Sequence, residues 1–405
     1  MTTRQDALAL DARDPLAALR AQFSLPEGVI YLDGNSLGVL PAATPARVAS
    51  AVQDEWGTGL IRSWNSAGWV DLPQRVGDKI GRLIGAGPGQ TLAADSTSVN
   101  LFKVLNAALA IAHADAPLRT RIVSERSNFP TDLYIAEATA AERGLELVLA
   151  DSPEEIRALL DERCAVLMLT HVNYSTGRIH DMAVLTRAAH EAGALTLWDL
   201  AHSAGAVPLQ LSDCGADFAI GCGYKYLNGG PGAPAFVWVA PRHAERFWQP
   251  LAGWMGHAAP FEFTPGYRPA QGISRYLCGT PAVLSLAALE CGVDTVLAAA
   301  GHGGMAALRN KSLALTRLFA ERVQATCPGL TLASPVNDAE RGSQVCFAHP
   351  AIGYAVMQAL IARGVIGDFR APDILRFGFT PLYLRFVDAW DAAEHLRQVL
   401  ESGEW

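Results

Sequence analysis

The chain has 405 residues, half of them hydrophobic and 18% charged, with a formal net charge of −8. That length can bury a large core divided between two domains, and the composition argues against disorder beyond the N-terminus. An acidic balance without a basic stripe excludes nucleic acid as a partner, and the interrupted apolar runs predict no membrane-spanning helix. The N-terminal MTTRQDALALDARDP has no apolar core of signal type. Seven dispersed cysteines without C-x-x-C spacing predict reduced thiols in a cytoplasmic protein, neither a disulfide frame nor a metal cluster.

Residues 4–20 have the pattern of an amphipathic helix, and YLDGNSLG (31–38) that of a short strand and turn. Helical spacing follows over 41–61 and 72–84, broken by the glycines at 85–89. From residue 92 to 239 short apolar runs alternate with helical stretches. Strands are expected at 122–124, 147–149, 166–170, 195–198, 218–220 and 235–239, and helices at 99–113, 131–143, 153–160 and 183–192. This order predicts an α/β fold with a mostly parallel, doubly wound sheet. After Gly279 the texture changes. Helices at 281–297 and 305–325, strands at 344–347, 364–369 and 374–377, and a last helix near 388–400 describe a smaller α+β C-terminal domain. The expected division is an N-terminal segment, 1–45, packing with the small domain, a large domain over 46–285, and the small domain over 286–405.

The most informative stretch is ADFAIGCGYKYLNGGPGAPAFVW (216–238). An apolar run ending near Ile220 leads into a polar turn with Lys225, then into Gly229, Gly230 and Gly232, and a second apolar run follows. A lysine between two buried strands is poorly solvated, which pushes its amine toward the neutral, nucleophilic form that a Schiff base needs. Taken alone, Lys225 reads first as a lysine in an exposed hairpin. Upstream, ALTLWDLAH (194–202) ends a central strand on Asp199, with His202 just beyond. Open α/β sheets bind ligands outside the carboxyl ends of their strands. An acid there, with a lysine in the glycine-rich turn, suits pyridoxal 5'-phosphate (PLP). The carboxylate keeps the pyridine nitrogen protonated and the lysine carries the aldehyde carbon. Alone, Asp199 is equally a helix N-cap.

A phosphate needs backbone N–H groups at a helix start together with hydroxyls, which Thr97 and Ser98 in ADSTSVN (94–100) supply; simple capping is compatible with that role. NFPTD (128–132) opens another helix. Phe129 is placed to cover one face of a flat ring, with core packing as its alternative, and Asp132 is either a ring-side acid or a favourable first-turn acid. Thr170 and His202 complete the ring surroundings.

HVNYSTG (171–177), DLAH (199–202), GYKYLNGGPG (223–232) and GWMGH (253–257), with YLDGNSLG (31–38), NFPTD (128–132) and LRFGFTPLY (375–383), resemble in this order the kynureninase family. The resemblance covers residues 31 to 385. It implies the fold type I of PLP-dependent transferases, a homodimer with shared active sites, and hydrolysis of L-kynurenine to anthranilate and L-alanine in tryptophan degradation. It implies that Lys225 carries the cofactor, Asp199 pairs with the pyridine nitrogen and Phe129 stacks on the ring. Thr97, Ser98 and Tyr224 would hold the phosphate, with Trp254 and Thr280 reaching it from the neighbouring subunit. Asp132, Thr170 and His202 match other cofactor contacts. Arg376 matches the arginine that grips the substrate carboxylate, and Ser36 and Trp64 the lining of the substrate pocket. Tyr224 either moves a proton at the substrate ketone or only holds phosphate. Thr280 in place of an asparagine, and Trp64 where vertebrate members carry a histidine, imply a bacterial type that prefers kynurenine to its 3-hydroxy derivative.

Two classes of rival reading compete. The first is another enzyme of the same fold, a cysteine desulfurase or a small-substrate aminotransferase; a desulfurase needs a mobile nucleophilic cysteine, whereas Cys327 and Cys346 fall in or near regular elements. A nicotinamide enzyme needs G-x-G-x-x-G after an early strand, which is absent, and a non-catalytic module needs no such trio as Asp199, Lys225 and Arg376.

Overall fold

A computed structural model describes residues 2–405. In chain order the strands are β1 (Ile30–Tyr31), β2 (Thr91–Ala93), β3 (Arg121–Glu125), β4 (Glu146–Ala150), β5 (Cys164–Thr170), β6 (Leu195–Asp199), β7 (Phe218–Gly221) and β8 (Phe236–Val239). The C-terminal part adds β9 (Thr331–Leu332), β10 (Gln344–Ala348), β11 (Val365–Ile366), β12 (Asp368–Arg370) and β13 (Ile374–Gly378).

The main sheet has the order β2-β8-β7-β6-β5-β3-β4. Its five strands from β7 to β4 run parallel, while β8 pairs antiparallel with β7 and β2 antiparallel with β8. Side chains alternate between two apolar layers. Phe218, Ile220 and Val237 face the helices Thr97–Asp115 and Pro130–Arg143, and Ala219, Phe236 and Trp238 face the other side with the helix Leu72–Ile84. Burial on both faces explains why these strands read as continuous apolar runs.

Every strand expected between 122 and 239 is present, each within two residues of its expected bounds. The three-residue β2 is too short to carry a pattern of its own. Five expectations need correction. The helix expected over 4–20 stops at Asp11; a capping box of Thr3 and Asp6 starts it, and after Pro15 only the 3-10 turn Ala17–Gln22 follows. Proline at 15 removes a backbone donor and disfavours helical backbone at residue 14. The helix expected over 153–160 is only the 3-10 turn Ile156–Leu159. The helix expected over 41–61 is α-helical over Thr44–Ser50 and widens into a π-helix, Ala51–Gly59, where two glycines weaken the regular ladder.

The fourth concerns length. Val283–His302 is helical throughout and apolar enough, by length and composition, to cross a membrane. It packs as a core helix. Glu290 and Asp294 within it are ion-paired with Arg75 and Lys79 of Leu72–Ile84, which the apolar average conceals.

The C-terminal part is a four-stranded antiparallel sheet, β12-β13-β10-β9, with the helices Gly304–Thr326, Gly353–Ala362 and Phe386–Ser402. The strand expected over 364–369 is two strands in different sheets. Gly367 separates them, and an added Cβ there would stand 2.9 Å from the Phe377 ring. The N-terminal segment is fastened to this part. β1 pairs in parallel with β11, and the Asp11 carboxylate accepts from the Phe386 and Val387 N–H groups at 2.6 and 3.0 Å.

Candidate active site

Thr170, Asp199 and Ile220 are register partners at the carboxyl ends of β5, β6 and β7. The loop joining β7 to β8 brings Lys225 back over that edge, half-buried, with its Nζ 2.9 Å from His202 Nε2. Burial, then the nearby Lys225, holds the His202 imidazole well below its ordinary pKa. The ring is therefore neutral, Nε2 accepts from the Lys225 amine, and the buried Nδ1 has no partner. Lys225 Nζ stands 6.0 Å from the centroid of the Phe129 ring, itself 40% exposed, so core packing does not account for Phe129. Its edge meets Tyr174 at 5.3 Å and 88°.

Behind the lysine lie two buried acids. Burial, then the charge of Asp199, raises Asp132 well above an ordinary carboxyl, and burial raises Asp199 as well. Hydrogen bonding favours the proton on Asp132 and the charge on Asp199. Asp199 Oδ1 also accepts from Ala201 N–H at 2.7 Å, so it caps the following turn and faces the cavity at once. Thr170 Oγ1 donates to Asn128 Oδ1, which also accepts from Phe129 N–H at 2.7 Å. Asn128 thus sets both Thr170 and Phe129, although its sequence context suggests no more than a turn.

The residues expected at the phosphate divide their work. The N-cap of Thr97–Asp115 is Ser96, whose Oγ accepts from Val99 N–H at 3.3 Å. Capping therefore does not occupy Thr97 or Ser98, and both line the cavity with Lys225. Tyr224 lies beside them, its phenol pushed up to about 12, chiefly by burial. A wider cavity opens beyond, with Thr97, Tyr224 and this chain's own Thr280 on its wall. The structure does not bring Trp254 there; it stacks on Phe263 at 6.1 Å, in a separate pocket. Trp64 is likewise elsewhere in the chain, edge-on to Trp69 at 6.0 Å.

Arg376, on β13, is buried beside Tyr174, which lines the Lys225 cavity. Its Nη2 donates to Ser36 Oγ and Asp368 Oδ2, each at 2.7 Å, and its Nη1 to the Tyr174 carbonyl at 2.9 Å. Nε is buried without a partner. The same Asp368 oxygen accepts from Ser36 Oγ at 2.9 Å and pairs with Arg370 at 2.7 Å. YLDGNSLG reaches this cluster because Gly38 lies against the lysine loop. Its N–H donates to the Tyr224 carbonyl at 2.7 Å, and a Cβ would stand 2.5 Å from the Lys225 carbonyl. Asp368 is the residue that sequence reasoning misses, since a strand aspartate carries no motif.

Asp33 joins the same cluster, and burial followed by Asp368 raises its pKa to about 6. Below pH 4 it is protonated in folded and unfolded chains alike. As pH rises the unfolded chain ionises first, so the cost of burying the charge grows until about pH 6 and is then constant. Asp33→Asn should therefore stabilise the substrate-free protein by about 1–2 kcal/mol at pH 8, after discounting for partial exposure, and by almost nothing at pH 4. Chemical denaturation at the two pH values checks this; an equal gain at both would remove the charge explanation.

The residues fit PLP. An amine, a buried anionic acid, an accessible aromatic face and two hydroxyls at a helix start converge on one cavity.

A family model described as the kynureninase C-terminal domain matches residues 308–396. The chain is 58% identical to the kynureninase of Pseudomonas fluorescens and 57% identical to that of Burkholderia pseudomallei (strain 1106a), in both cases over all of this chain and 97% of the relative. Among solved structures it is similar to an apo cysteine desulfurase from Thermococcus onnurineus NA1, with TM-score 0.80 and 18% identity over 95% of this chain and 98% of that one. It is also similar to a C-DES mutant with glycine covalently linked to its PLP cofactor, with TM-score 0.79 and 16% identity over 93% and 98%. Likeness at that identity shows the fold alone, which is type I of the PLP-dependent enzymes. With full-length relatives at this identity, the chain belongs to the kynureninase family of PLP-dependent hydrolases that act on carbon–carbon bonds.

Proposed function

We propose that this protein hydrolyses the Cβ–Cγ bond of L-kynurenine, releasing anthranilate and L-alanine, with PLP held at Lys225. The observation that carries this reading is Lys225 Nζ, 2.9 Å from a neutral His202, in the cavity shared by Phe129 and Asp199. Bound PLP supplies an aldehyde for the substrate amine and a ring that takes up the electron pair left on the β-carbon. Asp199 holds the proton at the pyridine nitrogen, and Asp132 and Thr170 support it. Phe129 covers the ring, and Thr97, Ser98 and Tyr224 hold the phosphate. Once released by the substrate, the Lys225 amine takes the proton from Cα. Tyr224, protonated at neutral pH, donates to the ketone oxygen as water adds to its carbon. The second water proton restores Tyr224, the Cβ–Cγ bond breaks and anthranilate leaves with the added oxygen; Cβ takes the proton given up by the hydrated carbonyl, the Lys225 ammonium returns its proton to Cα, and Lys225 resumes its place as alanine departs.

Arg376 grips the substrate carboxylate, and Ser36 holds the guanidinium in place. Arg376→Lys keeps the charge but loses the planar, two-pronged contact, so KM should rise about 10- to 100-fold with a much smaller change in kcat. An unchanged KM would move the grip to another residue, Arg370 first.

The working form is a homodimer with shared active sites. Trp254 lies outside its own chain's cavity beside the exposed Phe261 and Phe263, as a residue serving a partner's site would. Trp64 and Thr280 belong to the same shared lining and favour kynurenine over its 3-hydroxy derivative. Seven free cysteines support a cytoplasmic location.

The test is to add L-kynurenine to the purified, PLP-loaded protein and follow anthranilate fluorescence, with 3-hydroxykynurenine alongside. Absence of turnover, together with sulfide release from cysteine, would favour a desulfurase. Cys327 and Cys346 are buried in the structure, which opposes that alternative.

A further inference from the structure

The helix Thr97–Asp115 carries a lysine whose charge never reaches solvent. The Lys103 side chain is 0% exposed, and its Nζ lies 2.7 Å from Asp95 Oδ2 and 2.6 Å from the Tyr276 carbonyl oxygen. Asp95 lines the wide cavity, and Tyr276 directly adjoins residues 277–280, which line it too. Asp95 immediately precedes Ser96 and Thr97, and Tyr276 precedes the stretch that carries Thr280. A buried ammonium is costly and persists only when paired and hydrogen-bonded, so this arrangement is specific to these acceptors.

Asp95 has its own peculiarity. Its φ of 51° lies in the left-handed region, which aspartate tolerates, and this bend turns the chain from β2 into the helix. The turn is pinned by Ala235 N–H on the Asp95 carbonyl at 2.8 Å and by Asn100 Nδ2 on the Ala94 carbonyl at 2.8 Å. The Asp95 side chain remains 29% exposed and lines the cavity with Thr97 and Tyr224. A carboxylate at the edge of a phosphate cup repels the ligand unless something cancels its charge, and the low-dielectric wall strengthens that repulsion.

We propose that Lys103 is a positioning residue for the phosphate cup. It neutralises Asp95 and ties the Ser96–Thr97 turn to the Thr280 segment, so that an acid can shape the turn without repelling a phosphate. The inference rests on the PLP reading above and deepens it.

The test is PLP affinity, read by absorbance titration of the apo-protein. Lys103→Met leaves the Asp95 charge bare and should weaken PLP binding about tenfold or more. Asp95→Asn keeps a side chain that tolerates the left-handed bend and removes the negative charge, so it should bind PLP as tightly as wild type or more tightly. The double variant should return to within about threefold of wild type. A purely structural role would weaken binding in both single variants. If Lys103→Met does not fold, Asp95→Asn and the double variant still decide. Loosening of PLP by Asp95→Asn, or a double variant as weak as Lys103→Met, overturns the proposal. A wild-type protein that binds no PLP would instead sink the functional reading.

Discussion

Lys225→Arg is expected to purify without a yellow chromophore and to lose kynurenine turnover by at least about a thousandfold. The substitution keeps a cation in the cavity and can still donate to His202 Nε2, so the surrounding hydrogen bond has a partner. What disappears is an amine able to bond the cofactor aldehyde and then to accept a proton, because a guanidinium remains protonated at any working pH. His202 sharpens the expectation. Its neutrality comes first from burial and not from the lysine alone, so its Nε2 remains an acceptor aimed at position 225 in the variant. Arginine should therefore seat well, and a loss of activity cannot be laid to a collapsed site. Absorbance of the purified variant and steady-state anthranilate release measure both parts. Turnover near the wild-type rate would place the essential amine elsewhere, with no other lysine in the Lys225 cavity to take its part.

The strand-end residues are legible in the sequence for a physical reason. A parallel strand buried on both faces is a short apolar run, and the first polar residue after it stands at the ligand-binding edge. Thr170 and Asp199 both follow that rule, and Lys225 follows it one loop later. The substrate end does not follow it. Arg376, Ser36, Asp368 and the Tyr174 carbonyl come from three distant stretches of chain, and only the tertiary fold brings them together. Resemblance points to Arg376 and Ser36, but nothing in the run GDFR distinguishes Asp368 from an ordinary strand acid. Lys103 is hidden for a related reason. A lysine in an apolar helix reads as a solvated residue, and its burial shows only once Asp95 and Tyr276 are in place. The break at Pro15, by contrast, was written in the sequence. The Asp14–Pro15 pair opposes helix, and the periodicity of 4–20 simply masks it.

Asp199→Asn is expected to cut kcat by about 100- to 1000-fold while leaving the substrate-free protein as stable as wild type, or more so. The two effects have one origin. Asp199 is fully buried, burial raises its pKa, and the charge is tolerated because Lys225, the Ala201 N–H and the proton on Asp132 offset that cost. Asparagine has nearly the same shape, accepts from Ala201 through its carbonyl oxygen, and no longer needs a buried charge. Stability should therefore hold, but a neutral amide cannot keep a proton on the pyridine nitrogen, and the ring loses its pull on the electrons left at the β-carbon. Asp132→Asn supplies the contrast. Asp132 is the acid whose proton burial and Asp199 retain, and an asparagine N–H can replace that donor, so less than about a tenfold loss is expected. Parallel melts and kcat measurements on both variants check the pair. If Asp199→Asn kept kcat within about threefold of wild type while Asp132→Asn abolished it, the charge that serves the cofactor would sit on Asp132, and the two acids would exchange roles.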